Sequence, residues 1–252
     1  SKKRKNKTFF KPNTLIIFSI HIPSLMKKYS ILVFIILFFT INLASSHVSH
    51  YKKVKFLKYG LFFNNKLIGN HVFNFKQEGD LFYVNSKGNF KIDKLGVVLM
   101  DYKTESEEVY KNDQLIKYSS KTLQNNKEKF AKVILNKKNK LYVEGSSYKG
   151  ETENTSMIGS WWNHEIVKNS KQISPISGRI NKQKVKFLGK KDISINGKDY
   201  NALHFHFLSD DEKPPKKKKI NMHVWYDSKT LLWIKASYEK IGRWEYRLVE
   251  FR

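Results

Sequence analysis

The sequence predicts an all-β protein: an antiparallel meander forming a barrel or a strongly curved sheet, with a short helical or irregular plug in mid-chain. Three observations carry this. From Tyr51 onward apolar and polar residues alternate with period two. Turn residues interrupt the alternation every 8 to 14 positions. One long segment, about residues 149–182, does not read as strand, and it holds the adjacent tryptophans of Gly159-Ser160-Trp161-Trp162-Asn163-His164.

Val54–Tyr59 leads to a turn at Asn64-Asn65, and Leu67–Phe75 to one at Glu78-Gly79-Asp80. The strand from Leu81 runs through Phe90 and Ile92 to a turn near Lys94-Leu95-Gly96. Val97–Tyr110 turns at Asn112-Asp113, Leu115–Leu123 at Asn125-Asn126, and Phe130–Leu135 at Lys137–Asn139. Leu141–Val143 closes the first half. After the plug, Lys184–Leu188, Ile193–Ile195, Tyr200–Leu208, Ile220–Tyr226, Leu231–Tyr238 and Trp244–Phe251 read as strands. Asn196-Gly197 is a two-residue hairpin signal, since both positions tolerate positive φ. Asp210–Lys219, with Pro214-Pro215 and four consecutive lysines, reads as an exposed loop. Leu203, Phe205 and Phe207 on one strand face, with Tyr200, Ala202 and Leu208 on the other, predict a sheet that wraps a core or lines an apolar cavity.

The chain begins with Ser1, and its first methionine is Met26. Met26-Lys27-Lys28, an apolar run Ile31–Ala44 and then Ser45-Ser46 match a secretory signal peptide. The run is shorter than the roughly 20 apolar residues of a membrane span. Residues 1–25 therefore read as an upstream extension, 26–46 as a cleaved signal, and 47–252 as a single β-barrel-like domain in the periplasm. The chain has no cysteine, so its stability rests on burial and hydrogen bonding.

The net charge is +26, and +18 remains without residues 1–46. This could suit an anionic membrane surface. Only five of the 48 basic residues are arginine, and an exported protein seldom meets nucleic acid, so nucleic acid is not expected as a partner. Lysines interrupt both faces of several strands, and the chain ends in Arg252, which argues against an outer-membrane barrel.

The mature chain resembles an uncharacterised family of exported bacterial proteins, common in alphaproteobacteria and carried as a domain of unknown function. The residues that carry it are Lys66–His71, Glu107–Tyr110 with Asn112-Asp113, Ser160–Asn163, Ser177-Gly178-Arg179, Trp225-Tyr226-Asp227 and Tyr246-Arg247-Leu248, in order over residues 51–252. The resemblance implies an antiparallel β-protein shaped like lipid-carrier half-barrels, with no established activity, cofactor or substrate.

No nucleophile motif, phosphate loop or dinucleotide fingerprint is present, so no catalytic residue and no cofactor is assigned. Trp161 and Trp162, with Asn163, either stack on a ligand at a cavity mouth or form a lid packed on the sheet. Arg179 could hold an anionic headgroup or pair with an acidic residue at the rim. Trp225 and Tyr226 complete the ligand-binding set, with Trp225 expected in the core and Asp227 capping a turn. His204, His206 and His223 could approach one another across strands, but no carboxylate or cysteine signature joins them and no metal site is assigned. Glu105, Glu107 and Glu108 read as a solvated strand face. The expected function is binding of an apolar or amphipathic, lipid-like ligand in a β-barrel cavity. The alternative is a filled-core envelope interaction protein with a basic surface, and the oligomeric state is open.

Overall fold

A computed structural model describes Tyr51 and residues 53–94, 97–210, 220–239 and 242–252. The predicted upstream extension, signal peptide and lysine run of the 210–219 loop lie outside the described residues. The described residues belong to one compact unit, Ser46–Arg252.

Two-residue turns build the first half. Asn64-Asn65, Asn112-Asp113 and Asn125-Asn126 all have positive φ at both positions. That backbone twist matches paired strands, and Asn and Asp adopt it at low cost. Between these turns run β1 (Phe56–Phe63), β2 (Lys66–Glu78), β3 (Leu81–Lys94), β4 (Val97–Lys111), β5 (Gln114–Gln124), β6 (Lys127–Leu135), β7 (Lys140–Gly145) and β8 (Tyr148–Glu153). The predicted plug is partly strand. It contains β8, the short β9 (Met157–Ile158) and β10 (Lys171–Ile173), and its longest irregular stretch is residues 159–170, with a 3-10 turn at His164–Lys168.

The second half comprises β11 (Ile180–Ile195), β12 (Lys198–Ser209), β13 (Asn221–Asp227), β14 (Trp233–Glu239) and β15 (Arg243–Phe251). The sequence suggested two strands where β11 is one. A bulge at Phe187–Gly189, with Gly189 at φ +102°, breaks the alternation without breaking the strand. Asn196-Gly197 makes the expected two-residue hairpin, both positions with positive φ.

The fifteen strands of the described residues lie in one sheet of order β8-β7-β6-β5-β4-β3-β2-β1-β15-β14-β13-β12-β11-β10-β9. Every pair is antiparallel except β9 with β10. The chain therefore runs outward from β1 to one edge, crosses to the other edge, and returns to pair β15 with β1. Laid flat, fifteen strands would span roughly 70 Å. Yet only residues 154–156 join the edge strands β8 and β9, a reach of no more than about 15 Å. The sheet must curl until its edges face each other, and it is curled rather than closed.

The inner face carries the core: Leu57, Tyr59, Phe73, Phe82, Val84, Tyr118, Val133, Val143, Phe207, Val224 and Trp233 are all buried. On β3 to β6 the inner row is unusually small: Ser86, Ser106, Ser120 and Ala131 stand opposite one another. This lets the 174–178 loop pack in close, where the Pro175 carbonyl accepts from Tyr118 Oη (2.8 Å) and Ser120 Oγ (2.6 Å). Gly145 of β7 completes the fit, because a side chain there would meet the Ser177 carbonyl oxygen at 2.4 Å. Gly145→Ala is expected to push the loop off β7 at a cost of about 1–3 kcal/mol. Thermal unfolding should show this as a fall of several degrees in Tm.

Candidate functional site

The two tryptophans leave the chain in different directions. Trp161 has φ +57°, a costly conformation for a bulky residue, and this turn sends consecutive side chains into separate clusters. Trp162 is 0 % exposed. Its ring is met by Tyr51 at 5.2 Å, Phe75 at 5.4 Å, Tyr110 at 5.7 Å and Phe82 at 6.2 Å between centroids. It is a core residue and reaches no mouth. Trp161 instead packs half-buried against Trp233 (5.8 Å) and Tyr246 (6.5 Å). Tyr226 ties it down, its hydroxyl donating to the Trp161 carbonyl at 3.0 Å. Asn163 caps the 3-10 turn, its Oδ1 accepting from the Glu165 amide at 3.1 Å.

Glu108 is the residue that sequence reading misplaced. Glu105 and Glu107 are on the outer face, bridged to Lys87 at 3.1 Å and Lys117 at 3.0 Å. Glu108 has the opposite parity, shared with Tyr102 and Tyr110, and is 2 % exposed in the core. That parity was the available signal. Its Oε1 accepts from Trp162 Nε1 (3.0 Å) and its Oε2 from Tyr110 Oη (2.5 Å), with Ser160 adding a further bond. Burial raises the Glu108 carboxyl above its ordinary range, against the opposing effect of these donors. Glu108 is the hook that holds the plug to the wall.

Around Trp161 the interior changes character. On the inner face, Phe90 stacks on Tyr102 (4.6 Å) and meets Trp244 (5.6 Å), which stacks on Tyr238 (5.5 Å). Tyr246 stands beside Trp233 (5.3 Å) and His71 (6.2 Å). Phe90, Tyr102, Tyr238, Tyr246, His71 and Trp161 all stay half-buried, whereas the rings around Trp162 are sealed. Three ring nitrogens about Tyr246 are buried without a hydrogen-bond partner: His71 Nε2, Trp161 Nε1 and Trp233 Nε1. The indole groups can only donate. Burial also lowers the His71 pKa to about 4. This is an aromatic-lined region with hydrogen-bond donors left over, able to donate to an acceptor.

The remaining predicted residues lie elsewhere. Arg179 is half-buried at the exit of the plug, its carbonyl accepting from the Ser174 amide at 2.8 Å. Trp225 is on the outer face, not in the core, because β13 buries Val224 and Tyr226 and turns Trp225 outward. There it stacks on His204 at 4.3 Å, with Lys235 Nζ 5.3 Å from its ring centre. Asp227 accepts from the Thr230 amide and hydroxyl, as its turn role requires. His204, His206 and His223 do meet: His204 Nε2 and His223 Nδ1 are 2.9 Å apart, and the His206 and His223 rings stack at 4.2 Å. Stacked rings do not converge on a point. Among the described residues no group of three or more His, Cys, Asp or Glu is placed to hold a metal ion.

A separate open groove of about 1110 Å³ crosses the outer face of β2–β6. Its floor is made of cross-strand rows such as Val72, Lys87, Glu105, Lys121 and Phe130. None of the predicted ligand-binding residues lines it.

The fold and this interior define a class: a curled, barrel-like, antiparallel β domain with a plug anchored inside. The chain belongs to the domain-of-unknown-function family DUF6134, whose model matches residues 59–249. No curated protein sequence matches it. Among solved structures it is similar to a β-barrel-like protein of domain of unknown function DUF1849 from Brucella abortus. The TM-score is 0.56 at 11 % identity, over 79 % of this chain and 97 % of that one. It also aligns with a putative exported protein of YmcC-like fold from Bacteroides fragilis, with TM-score 0.32 and 8 % identity over 78 % and 94 % of the two chains.

Two titrations of opposite sign are expected. Glu108 has a raised pKa when folded, so its contribution to stability is full below the ordinary carboxylate range and declines as pH rises through the folded pKa. Glu108→Gln should remove that decline in denaturant melts taken across pH. Glu108→Ala, which leaves Trp162 Nε1 and Tyr110 Oη unpaired, should cost about 2–4 kcal/mol. His71 behaves in the reverse sense: its contribution is present above pH 6.5 and is lost as pH falls towards about 4. His71→Phe should shrink the difference in Tm between pH 7.5 and pH 5.

Proposed function

We propose that this is an exported binding protein that holds an amphipathic, lipid-like ligand in the aromatic end of its barrel interior. The ligand's apolar body lies along Phe90, Tyr102, Trp244 and Tyr246, and its polar end accepts from Trp161 Nε1 and His71 Nε2. One observation carries the reading: unpartnered donors in an otherwise aromatic, incompletely sealed interior. A ligand acceptor would relieve their desolvation cost, which is on the order of 1–3 kcal/mol for each group. Export rests on the Met26–Ser46 pattern. Of the residues first marked for ligand contact, Trp161 takes that role. Trp162, Asn163 and Tyr226 position it, and Arg179 and Trp225 stand apart from this interior.

A second reading is an interaction protein with a filled core. The sealed packing around Trp162 favours it, since that half of the interior has no room for a ligand. Native mass spectrometry of the protein from an envelope extract, followed by organic extraction, separates the two. Under the binding reading a stoichiometric lipid-like adduct is seen. Trp161→Phe, which keeps a ring but removes the N–H, weakens retention about tenfold, the loss of one buried hydrogen bond. A clean apo mass from the wild-type protein would move the assignment to the interaction protein.

A further inference from the structure

The β3–β4 hairpin is longer than its neighbours. The β2–β3 ladder ends at Gly69 opposite Phe90, and the β4–β5 ladder begins at Tyr102 opposite Gln124. The hairpin continues past both, through Ile92 opposite Met100 to Lys94 opposite Val97. Its overhanging β4 arm begins Val97-Val98-Leu99, exposed by 61 %, 49 % and 52 %. Leu67, at the start of β2 and 59 % exposed, stands near the same end. Soluble surfaces seldom leave three consecutive aliphatic side chains in water.

We infer that this tip docks the protein on an anionic lipid bilayer. Val97 pairs with Lys94 and Val98 with Asp93, so these two project to opposite faces, while Leu99 is the extra residue of a bulge between the Asp93 and Ile92 pairs. A protein partner laid on one face would leave the other wet, whereas a lipid phase covers both. Three strand residues span about 10 Å, which matches the roughly 5–10 Å to which interfacial segments sink below the headgroups. Above that depth the side chains become charged. Lys66, Lys91, Lys103 and Lys127 are exposed at this end, among Asp93, Asp101 and Glu128. Among the described residues these lysines hold no carboxylate in an ion pair, and the chain without residues 1–46 carries +18. Lysines at headgroup level are attracted to anionic lipid, while the apolar tip supplies the part of binding that salt does not screen. The aromatic region lies beside the same hairpin end, since Phe90 and Tyr102 pair two positions below Ile92 and Met100. Docking by the tip brings that end of the interior to the membrane. The inference rests on the outer surface and stands whether or not the interior carries a ligand.

Cosedimentation with vesicles of phosphatidylethanolamine and phosphatidylglycerol tests it. Wild-type protein is expected to bind and to retain part of that binding in high salt. The combined variant Val97→Ser, Val98→Ser and Leu99→Ser should bind at least tenfold more weakly with an unchanged melting temperature. Since the chain has no cysteine, Leu99→Cys can carry a single environment-sensitive dye. Its emission should shift to the blue on vesicles, while the same dye at Val249→Cys, an exposed residue of β15, should not respond. Undiminished binding by the triple variant would overturn the inference. So would absence of vesicle binding by the wild type, or a self-association in light scattering that the triple variant abolishes.

Discussion

The bond between Glu108 and the Trp162 indole is the constraint on which the interior depends. A carboxyl group removed from water is costly unless its oxygens are occupied. Here Trp162 and Ser160 of the plug and Tyr110 of the wall occupy them. The plug cannot slide without stripping these donors from a buried acid. That fixed point lets the chain tolerate the left-handed Trp161 next to it, and Trp161 in turn divides the barrel into a sealed half and an aromatic half. The anchor is internal and joins Ser160 and Trp162 of the plug to Glu108 and Tyr110 of β4.

Much of the architecture was readable because it rests on local chemistry. Paired Asn and Asp residues mark left-handed turns, and alternation marks the strands between them. What was not readable depends on which face meets which. Gly189 breaks the alternation of β11 through a bulge, and a bulge is defined by its partner strand, so one strand looked like two. The plug seemed to lack strands because β9 and β10 are too short to show a period. Trp225 looked like core by its size, yet parity on β13 sends it outward. Glu108 looked solvated because two neighbouring glutamates are, although counting by twos from Tyr102 places it inside.

The tryptophan pair shows the same limit in the candidate site. Two adjacent indoles in a polar segment signal that the segment is buried, and this is correct. They do not signal that one is wholly structural and the other half open. The unpartnered nitrogens of His71, Trp161 and Trp233 come from three distant stretches of sequence, and only the curled sheet gathers them about Tyr246. The two halves of the interior also differ in what they need. The half around Trp162 is filled, while beyond Trp161 three buried ring nitrogens keep no hydrogen-bond partner.

The central pairing of β1 with β15 has a consequence for how the molecule is made. Leu57 lies opposite Phe251, and the amides of Lys55 and Phe56 donate to the carbonyl of Arg252. One edge of β1 therefore stays bare until β15 has been synthesised. Every other strand of the first half can zip to its predecessor as it emerges, but the seam cannot. Closure across so long a loop is entropically slow. Until that moment the chain is an open sheet with its apolar face uncovered, and it is then that a holding chaperone would matter most.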